Sequence, residues 1–235
     1  MNIQDILRRV TLFSELNAAD LLSLSAAFTK RSYSKGQIVF HKGDEGNGLY
    51  LVGMGKIKIS IPGNSGDEAI LAILGQGELV GELSLIDGGK RSATVAVIED
   101  AELFYLGRER FLQFLESHFD AVMHILRVLA RRLRDADAQL EDVHLFDITT
   151  RIARRLLMLG RQFGKNENGT IQIDLQITQN DLASMTGATR ESINKQLRCF
   201  KEKGLIKIDK GHVIVLDAKR LAAKARTSPE SESDS

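Results

Sequence analysis

The sequence of 235 residues contains one cysteine, Cys199, and no long hydrophobic run. A single thiol cannot build a disulfide framework or supply the cysteine ligands of an iron–sulfur cluster. No segment approaches the roughly 20 apolar residues that cross a bilayer, and the charged N-terminal sequence MNIQDILRRV is unlike a signal peptide. We therefore expect a soluble protein of the cytoplasm.

Residue patterns of catalytic sites are also missing. The sequence shows no Walker loop, no cluster of metal-ligating residues and no nucleophile placed beside a base. We therefore expect neither an enzyme nor a metal-binding protein, and we look for a binding function.

Positive charge is concentrated in the last third of the chain. Residues 148–226 hold 16 Lys and Arg against 7 Asp and Glu, a net charge of +9, whereas residues 1–147 have a net charge of −5. A basic module that follows a mildly acidic one predicts that only the C-terminal part binds a polyanion. A solvated basic surface is the alternative, which charge alone does not exclude.

The first part of the chain has two textures. Residues 1–28 are predicted to form short helices, whereas residues 29–106 contain short alternating runs such as Ile57-Lys58-Ile59 that are typical of strands. Glycines interrupt these runs at positions 36, 43, 46, 48, 53, 55, 63, 66, 75, 77, 81, 88 and 89. This dense turn chemistry predicts an antiparallel sandwich or rolled barrel.

A long helix is predicted to begin at Glu109. Its apolar residues are spaced alternately by four and three positions, at Val122, Leu126, Leu129, Leu133, Ala136, Leu140 and Val143. Such a seam over three heptads is typical of a helix that packs against another helix. Because the seam is narrow and flanked by charges, self-association is favoured over the alternative, packing against the β-region of the same chain.

Asp147 is a suitable N-cap for a further helix, and we place a hinge at Phe146-Asp147. Beyond it we expect a strand at 171–173, two helices and a hairpin over 205–215. The last residues, 227–235, contain no apolar side chain and are expected to be disordered.

Residues 178–200 have the pattern of a helix-turn-helix. Thr178 opens a short helix, Gly187 allows a tight left-handed turn, and Thr189 caps a second helix. The buried stripe of the second helix is predicted to consist of Ile193, Leu197 and Phe200. An ordinary helical hairpin is the alternative, but the basic charge, the hairpin that follows and the helical seam all favour DNA binding.

The second helix carries the side chains that suit base recognition. Arg190 can bond guanine at two points, Glu191 can accept from the cytosine amino group, and Lys195 lies on the same face. The other candidate DNA-binding residues are Thr178, Gln179, Thr189 and Ser192. Phosphate contacts are expected from the hairpin residues Lys207, Lys210 and His212.

A second group of polar residues lies within 81–94. Glu82 and Arg91 flank a glycine-rich turn, although a buried charge costs several kcal/mol in a small apolar barrel. Arg91 can neutralise a phosphate, Ser92 can donate to it, and Glu82 can accept from a ribose hydroxyl. Backbone N–H groups can come from Gly81, Leu83 and Ser84. A surface salt bridge between Glu82 and Arg91 is the alternative, and local chemistry leaves both open.

These residues resemble the phosphate-binding cassette of cyclic-nucleotide-binding domains. The order of β-region, cassette, long helix, Phe146-Asp147 and Thr189-Arg190-Glu191 resembles the cAMP receptor protein/fumarate-nitrate regulator family of bacterial transcription factors over about residues 7–226. The resemblance implies an α+β fold: a jelly-roll-like cyclic-nucleotide-binding β-roll (1–108), a dimerisation helix with hinge (109–146) and a winged helix-turn-helix (147–226). It also implies a homodimer, a two-fold symmetric double-stranded DNA operator and cAMP or cGMP as allosteric ligand.

The resemblance assigns residues to the ligand and to the polymerase. Its nucleotide-binding candidates are Gly81, Glu82, Leu83, Ser84, Arg91, Ser92, Ala136, Asp137 and Leu71. The polar segment at 164–169 matches a loop that touches RNA polymerase in the best-known member, although this loop differs here. Haem-sensing members need axial ligands that the five histidines do not provide.

One departure concerns the base of the nucleotide. Where the cAMP receptor has adjacent Thr and Ser on the dimer helix, this sequence has Ala136 and Asp137. An ionised carboxylate only accepts hydrogen bonds, and guanine offers N1–H and N2–H₂ side by side where adenine offers one amino group. We therefore predict that cGMP is accepted as well as, or instead of, cAMP. The alternative is that Asp137 pairs with Arg134 or a partner arginine.

Overall fold

The chain up to residue 145 contains an antiparallel sheet with helices packed on it. A computed structural model describes residues 3–10, 13, 16–63, 67–167 and 169–226. The tail 227–235, which is predicted to be disordered, lies outside the described residues. The elements are α1 (Ile3–Arg9), α2 (Ala18–Ala27), β1 (Thr29–Tyr33), β2 (Ile38–Phe40), β3 (Gly48–Pro62), β4 (Glu68–Leu74), β5 (Leu79–Val80), α3 (Leu83–Asp87), β6 (Thr94–Gly107), α4 (Arg108–Ser117) and α5 (Phe119–Leu145).

Strands β3 and β6 form the spine of this sheet. They pair antiparallel from Gly48 opposite Gly107 to Ser60 opposite Thr94, with register shifts in their middle. The strand order is β1-β6-β3-β4, with β2 on β6 and β5 on β3. Bulges of this kind bend and twist a pair of strands. Gly55 lies in this irregular stretch with φ +81°, and a Cβ at this position would lie 2.3 Å from the Asp100 carbonyl oxygen. The sheet therefore rolls rather than staying flat, as the β-roll prediction requires.

Both faces of the spine are buried. Leu49 and Leu51 pack with the helices in one cluster, whereas Tyr50 and Val52 belong to a second cluster on the other face. Successive strand side chains point to opposite faces, so one run of four apolar residues supplies both cores. Helices α1, α2, α4 and α5 pack on the first face, whereas the buried residues of the second cluster all come from the strands β3, β4, β5 and β6.

The predicted long helix is two helices: α4 begins at Arg108, one residue before the predicted start, but the prediction of one continuous helix is wrong. Helix α4 ends at Ser117 and is capped by His118, whose backbone has φ −133° and ψ 82° and whose N–H donates to Leu115 O. Its ring Nδ1 lies 2.7 Å from Phe114 O. The backbone N–H and the ring of His118 thus occupy carbonyl groups at the end of α4. Helix α5 starts at the next residue, Phe119. Apolar spacing is helical on both sides, so periodicity could not locate the break.

Helix α5 has one buried side and one exposed apolar side. Ala121 and Ile125 are buried in the helix-covered cluster, and Leu129 packs against it. Four large residues of the seam are largely exposed: Leu126 at 52%, Leu133 at 64%, Leu140 at 62% and Val143 at 52%. The alternative that the whole seam packs against its own β-region is therefore wrong for these four residues.

The second unit is a small helical domain with a four-stranded sheet. Its elements are α6 (Ile148–Phe163), β7 (Gly164–Glu167), β8 (Thr170–Gln176), α7 (Gln179–Thr186), α8 (Arg190–Glu202), β9 (Ile206–Asp209), β10 (His212–Val215) and α9 (Ala218–Lys224). The strand order is β7-β8-β10-β9. The predicted N-cap is confirmed, because the Asp147 side chain accepts from Thr150 N at 2.8 Å. The predicted strand and hairpin are confirmed as well.

Residues 164–167 of the segment that resembles a polymerase-binding loop form strand β7. The prediction of a loop at these positions is therefore wrong. Gly164 pairs opposite Ile173 and Glu167 opposite Thr170, which makes this segment one arm of a hairpin. At the other hairpin, Lys210 and Gly211 both have positive φ, 47° and 83°. Two consecutive residues of this kind are typical of a tight turn between twisted strands.

The two compact units are Met1–Arg134 and Asp135–Ser235, so their boundary falls inside α5. The functional division at residues 108, 146 and 226 stays a prediction. Among the described helices, none is long and apolar enough to cross a membrane.

Candidate ligand pocket and DNA interface

The cassette is built on a left-handed glycine and a single turn of helix. Gly81 has φ +86°, and a Cβ at this position would lie 2.5 Å from Arg91 Nη1. Helix α3 follows directly, with Ser84 buried and Leu83 exposed. Gly46 approaches the same turn so closely that its Cβ would meet Ser84 Oγ at 2.2 Å. Glycine is therefore required at two positions that bring backbone against the cassette.

Arg91 is the buried cation of the pocket, with 5% of its surface exposed. Its Nη1 donates to Gly81 O and to Ser84 Oγ, both at 2.8 Å, and Nη2 donates to Gly48 O. The guanidinium carbon lies 4.3 Å from the centroid of the Phe40 ring. Burial lowers the pKa of Arg91, against smaller opposing contributions from Tyr50, Tyr105, Glu82 and Asp44. Because guanidinium stays protonated in proteins, this desolvated charge favours an anionic ligand.

Glu82 is the buried anion, and its partner is not Arg91. Its Oε1 accepts from Nη1 of Arg132 on α5, and Nη2 of Arg132 donates to Leu79 O at 2.6 Å. Glu82 is 4% exposed. The alternative of a surface salt bridge between Glu82 and Arg91 is therefore wrong, because both side chains are buried and each has other partners. Arg132 joins the cassette to the long helix.

Two buried polar atoms of the pocket have no hydrogen-bond partner among the described residues. They are Glu82 Oε2 and Arg91 Nε. Native proteins rarely leave such atoms unmatched unless a ligand or water completes them. An unmatched acceptor and an unmatched cationic donor fit a molecule that carries a hydroxyl and an anionic group. A sugar phosphate has this chemistry.

The structure brings together four of the nine predicted nucleotide-binding residues, Gly81, Glu82, Ser84 and Arg91, in or beside one buried cluster. Ser92 and Leu71 are exposed, Leu71 at 38%, and Leu83 is exposed at 42%. Ala136 and Asp137 lie on exposed positions of α5 that belong to the second unit. Their role stays a prediction. Asp137 has no ion-pair partner within the described part of this chain.

Sequence reasoning missed three contributors to the pocket. They are the Gly48 carbonyl, the Phe40 ring and Arg132. Gly48 and Arg132 are more than 40 residues from the side chains they contact, so local spacing gives no signal for them. For Arg132 the sequence shows only a charged residue beside the α5 seam. A charged residue at such a position is equally well explained as a solvated side chain.

The helix-turn-helix forms as predicted. Thr178 caps α7 in a reciprocal capping box with Asp181, and Gly187 is left-handed at φ 61°. Thr189 caps α8 by accepting from Ser192 N. Ile193, Leu197 and Phe200 are buried, which confirms the predicted stripe. The turn between the helices is therefore fixed by local chemistry that is readable in the sequence.

Two arginines of α6 hold the end of α7. Arg151 Nη1 donates to Thr186 O at 2.8 Å, and Arg155 Nη2 donates to Met185 O at 2.9 Å. Arg155 is 8% exposed, and burial lowers its pKa. Cations at a helix C-terminus satisfy free carbonyl groups and oppose the helix dipole. These contacts fix the turn that precedes the second helix, and sequence reasoning did not find them.

The outer face of α8 is polar and exposed. It carries Arg190, Glu191, Asn194, Lys195 and Arg198, with Arg198 bonded to Glu202 at 3.0 Å. Gln179 and Ser192 are half-buried, whereas Thr178 and Thr189 are exposed. A helix that reads the major groove needs one buried side that packs on its domain and an opposite side that is exposed and polar, and α8 has both.

The hairpin offers two of its three predicted phosphate ligands. Lys207 and Lys210 are exposed. The ring Nδ1 of His212 lies 3.2 Å from Ile173 O, so this side chain is turned into the sheet. Among the described residues no group of His, Cys, Asp and Glu could hold a metal ion.

Comparison with known proteins gives the same division into a ligand module and a DNA module. The family model of the cyclic nucleotide-binding domain matches residues 30–118, and that of the Crp-like helix-turn-helix domain matches residues 150–224. The CRP-like cAMP-activated global transcriptional regulator of Mycobacterium tuberculosis is 32% identical over 95% of this chain and 100% of its own length. The chain belongs to the CRP/FNR family.

Two further relatives support this assignment. The Cyclic AMP receptor protein of Thermus thermophilus is 37% identical over 81% of this chain and 85% of its own. The solved structure of CLP, the c-di-GMP responsive global regulator of Xanthomonas campestris, has a TM-score of 0.71 and 26% identity, and the match covers 86% of this chain and 100% of that one. The family and the fold class predicted from the sequence are confirmed. This CRP/FNR protein is a cyclic-nucleotide-binding transcription regulator with a helix-turn-helix.

The geometry of Gly81 generates a prediction. Gly81→Ala forces a strained backbone and displaces Arg91, so the affinity for a cyclic nucleotide should fall at least about tenfold, which corresponds to the loss of one charge-assisted hydrogen bond. Gly107→Ala is the control, since its φ is −68° and its Cβ would have no neighbour within 4 Å. Isothermal calorimetry measures both. An equal affinity of the two variants would contradict the role of Gly81.

Proposed function

We propose that this CRP/FNR protein is a homodimeric transcription regulator of the cytoplasm whose affinity for a palindromic promoter site is set by cAMP or cGMP bound in the β-roll. The observation that carries the proposal is the pair of buried atoms without hydrogen-bond partners among the described residues, Glu82 Oε2 and Arg91 Nε, in the cluster formed by the cassette. A cyclic nucleotide has a ribose hydroxyl for the first and a phosphate for the second. The ligand supplies an anionic phosphate, a hydroxyl donor and a base.

The proposed contacts use the cassette residues. Arg91 and Ser92 bind the cyclic phosphate, with backbone N–H groups from Gly81, Leu83 and Ser84, and Leu71 lies on the side of the base. Glu82 accepts from the ribose hydroxyl through Oε2, because Oε1 is already bonded to Arg132. A hydroxyl on one carboxylate oxygen changes the bond that the other makes to α5. This places the ligand signal on the long helix, where it shifts a population of conformations.

The first experiment tests the nucleotide switch. Glu82→Gln and Arg91→Gln should weaken cAMP binding at least about a hundredfold, because each removes a charged partner of the ligand. Operator affinity without nucleotide should stay the same, and its increase by cAMP should disappear. Lys90→Gln is the control, since Lys90 is an exposed neighbour whose one ion pair among the described residues is with Glu45, at 3.5 Å.

Calorimetry and an operator titration measure these effects. Two variants are needed because Arg91 also bonds Gly48 O and Gly81 O, so its loss can unfold the roll, whereas Glu82→Gln keeps the shape of the side chain. If operator affinity is the same with and without cAMP or cGMP in the parent protein, the switch is refuted.

The base preference is the second point to test. We propose that Asp137, next to Ala136, meets the base in the pocket of the partner subunit and accepts from guanine N1–H and N2–H₂. The exposure of both residues leaves them available for such a contact. Asp137→Ser should weaken cGMP binding by about tenfold relative to cAMP, as one lost charge-assisted pair predicts. Binding of cAMP by the parent with no detectable cGMP binding would end this idea.

The dimer is proposed from the exposed stripe of α5. Four large apolar side chains at heptad spacing, Leu126, Leu133, Leu140 and Val143, are at least half exposed. A stripe of this kind is buried when two copies pair along it. Pairing of two copies also provides two recognition helices, which the proposed operator needs about 34 Å apart, one turn of DNA.

The DNA readers are proposed to be Arg190, Glu191 and Lys195, supported by Thr178, Gln179, Thr189 and Ser192. Their side chains lie on or beside the exposed face of α8 or at its cap. Lys207 and Lys210 bind phosphates. A regulator bound at a promoter acts on RNA polymerase, which we retain as a proposed partner without assigning its surface.

Selection of binding sites from random DNA tests this assignment. The parent should select two inverted half-sites one helical turn apart. Arg190→Ala should cost about 1–3 kcal/mol and relax the preference at one position of each half-site, because a bidentate contact to one base is lost. Lys207→Ala is the control, since a lost phosphate contact weakens all sequences alike and reduces the salt dependence. Unchanged base preference in Arg190→Ala would contradict its role.

A second candidate is a regulator of the same fold that responds to a different ligand or to none. The observation in its favour is the structural match to a regulator described as c-di-GMP responsive. A thermal-shift comparison of cAMP, cGMP and c-di-GMP with the parent and Glu82→Gln separates the candidates. If the cassette holds a cyclic mononucleotide, cAMP or cGMP should raise the melting temperature of the parent but not that of Glu82→Gln.

A further inference from the structure

One side chain of α6 touches elements on both sides of the predicted hinge. Nη1 of Arg154 pairs with Asp142 Oδ1 near the end of α5. Its Nε donates to Ala225 O, just beyond α9, at 3.1 Å. Its guanidinium carbon lies 4.1 Å from the centroid of the Phe146 ring. Arg154 therefore contacts the helix before the hinge, the hinge residue itself and the end of the DNA-binding module.

These three contacts use different parts of one rigid group. The guanidinium is planar, so its edge donates to a carboxylate and a carbonyl while its face covers an aromatic ring. Asp142 and Phe146 are joined to each other as well, because Phe146 N donates to Asp142 O at 3.3 Å. A lysine would offer one point charge and could not make all three contacts together.

The surroundings of Arg154 reinforce the same junction. Asp147 caps α6 through Thr150 N, and Thr150 Oγ1 donates to Lys224 O at 3.2 Å. Asp142 and Asp135 oppose the lowering of the Arg155 pKa by burial, which places acidic groups of α5 near the arginines of α6. The start of α6 is thus bonded to the ends of both α5 and α9.

A solvated surface ion pair is the simpler interpretation of Arg154 and Asp142. Their side chains are 35% and 24% exposed, and a lone pair at such a site contributes little. That interpretation leaves the carbonyl bond and the ring contact unexplained. Three contacts on three chain segments restrict motion between those segments far more than one ion pair does.

We propose that Arg154 is a positioning residue that locks the Phe146-Asp147 junction, so that the end of α5 and the winged helix-turn-helix move as one rigid body. The sequence predicted this junction as the pivot of the switch. The role in transmitting a nucleotide signal rests on the proposed function, whereas the rigidity does not.

Distance measurements test the rigidity without any ligand. Spin labels on Ala138→Cys and Arg161→Cys, both exposed, span the junction in the full chain with Cys199→Ser. The parent should give one narrow distance distribution, and Arg154→Gln should at least about double its width, since a released junction samples several arrangements. Asp142→Asn, which removes only the ion pair, should give an intermediate width. Arg220→Gln, an exposed arginine of α9, is the control and should match the parent.

Two results would overturn the lock. One is an Arg154→Gln distribution as narrow as the parent, and the other is equal broadening by Arg220→Gln. Circular dichroism shows whether each variant is folded. If Arg154→Gln is unfolded, Arg154→Lys and Asp142→Asn replace it, and a narrow distribution in both of these refutes the proposal.

Transmission is tested by operator binding with and without cAMP. Arg154→Gln should reduce the stimulation by cAMP about fivefold or more, while calorimetry gives an unchanged affinity for cAMP alone. A residue that only stabilises the fold would not separate these two quantities. Unchanged stimulation in the broadened variant refutes transmission through Arg154. If the parent shows no stimulation, the proposed function fails, and the distance result still decides the lock.

Discussion

The Arg91 guanidinium is buried, and two backbone carbonyl groups and one hydroxyl receive its hydrogen bonds. Gly48 begins β3, Gly81 and Ser84 belong to the cassette, and Arg91 precedes β6, so one cation holds three segments of the roll. Carbonyl groups do not neutralise a charge, which leaves the site positive inside an apolar domain. Glu82 adds a negative charge to this buried polar cluster, and its bond to Arg132 connects the cluster to α5.

In the second unit, α6 has the comparable organising role. Arg151 and Arg155 bond the end of α7, and Arg154 bonds the ends of α5 and α9. Helix ends leave carbonyl groups without partners, and arginines on a neighbouring helix satisfy them. The turn that leads from α7 into α8 is thereby held by α6.

Local chemistry was readable from the sequence, and distant contacts were not. Thr178, Gly187 and Thr189 were identified because caps and left-handed turns depend on a few adjacent residues. The bond between Arg132 and Glu82 could not be identified, because 50 residues separate the two in sequence. The break at His118 was missed for a different reason: apolar spacing continues across it, and only backbone geometry marks it. The candidate site residues followed from the family pattern, whereas Phe40 and Gly48 approach Arg91 only through the folding of the sheet.

The pairing of β3 with β6 has a consequence for synthesis of the chain. Gly48 pairs with Gly107, so the spine closes a long loop and cannot form while residues up to 107 are still within the ribosome. The emerging N-terminal half therefore exposes apolar strand edges for longer than a local hairpin would. The ligand pocket is finished later still, when Arg132 emerges and reaches Glu82. A nucleotide held by this pocket can stabilise the roll only after α5 has been made.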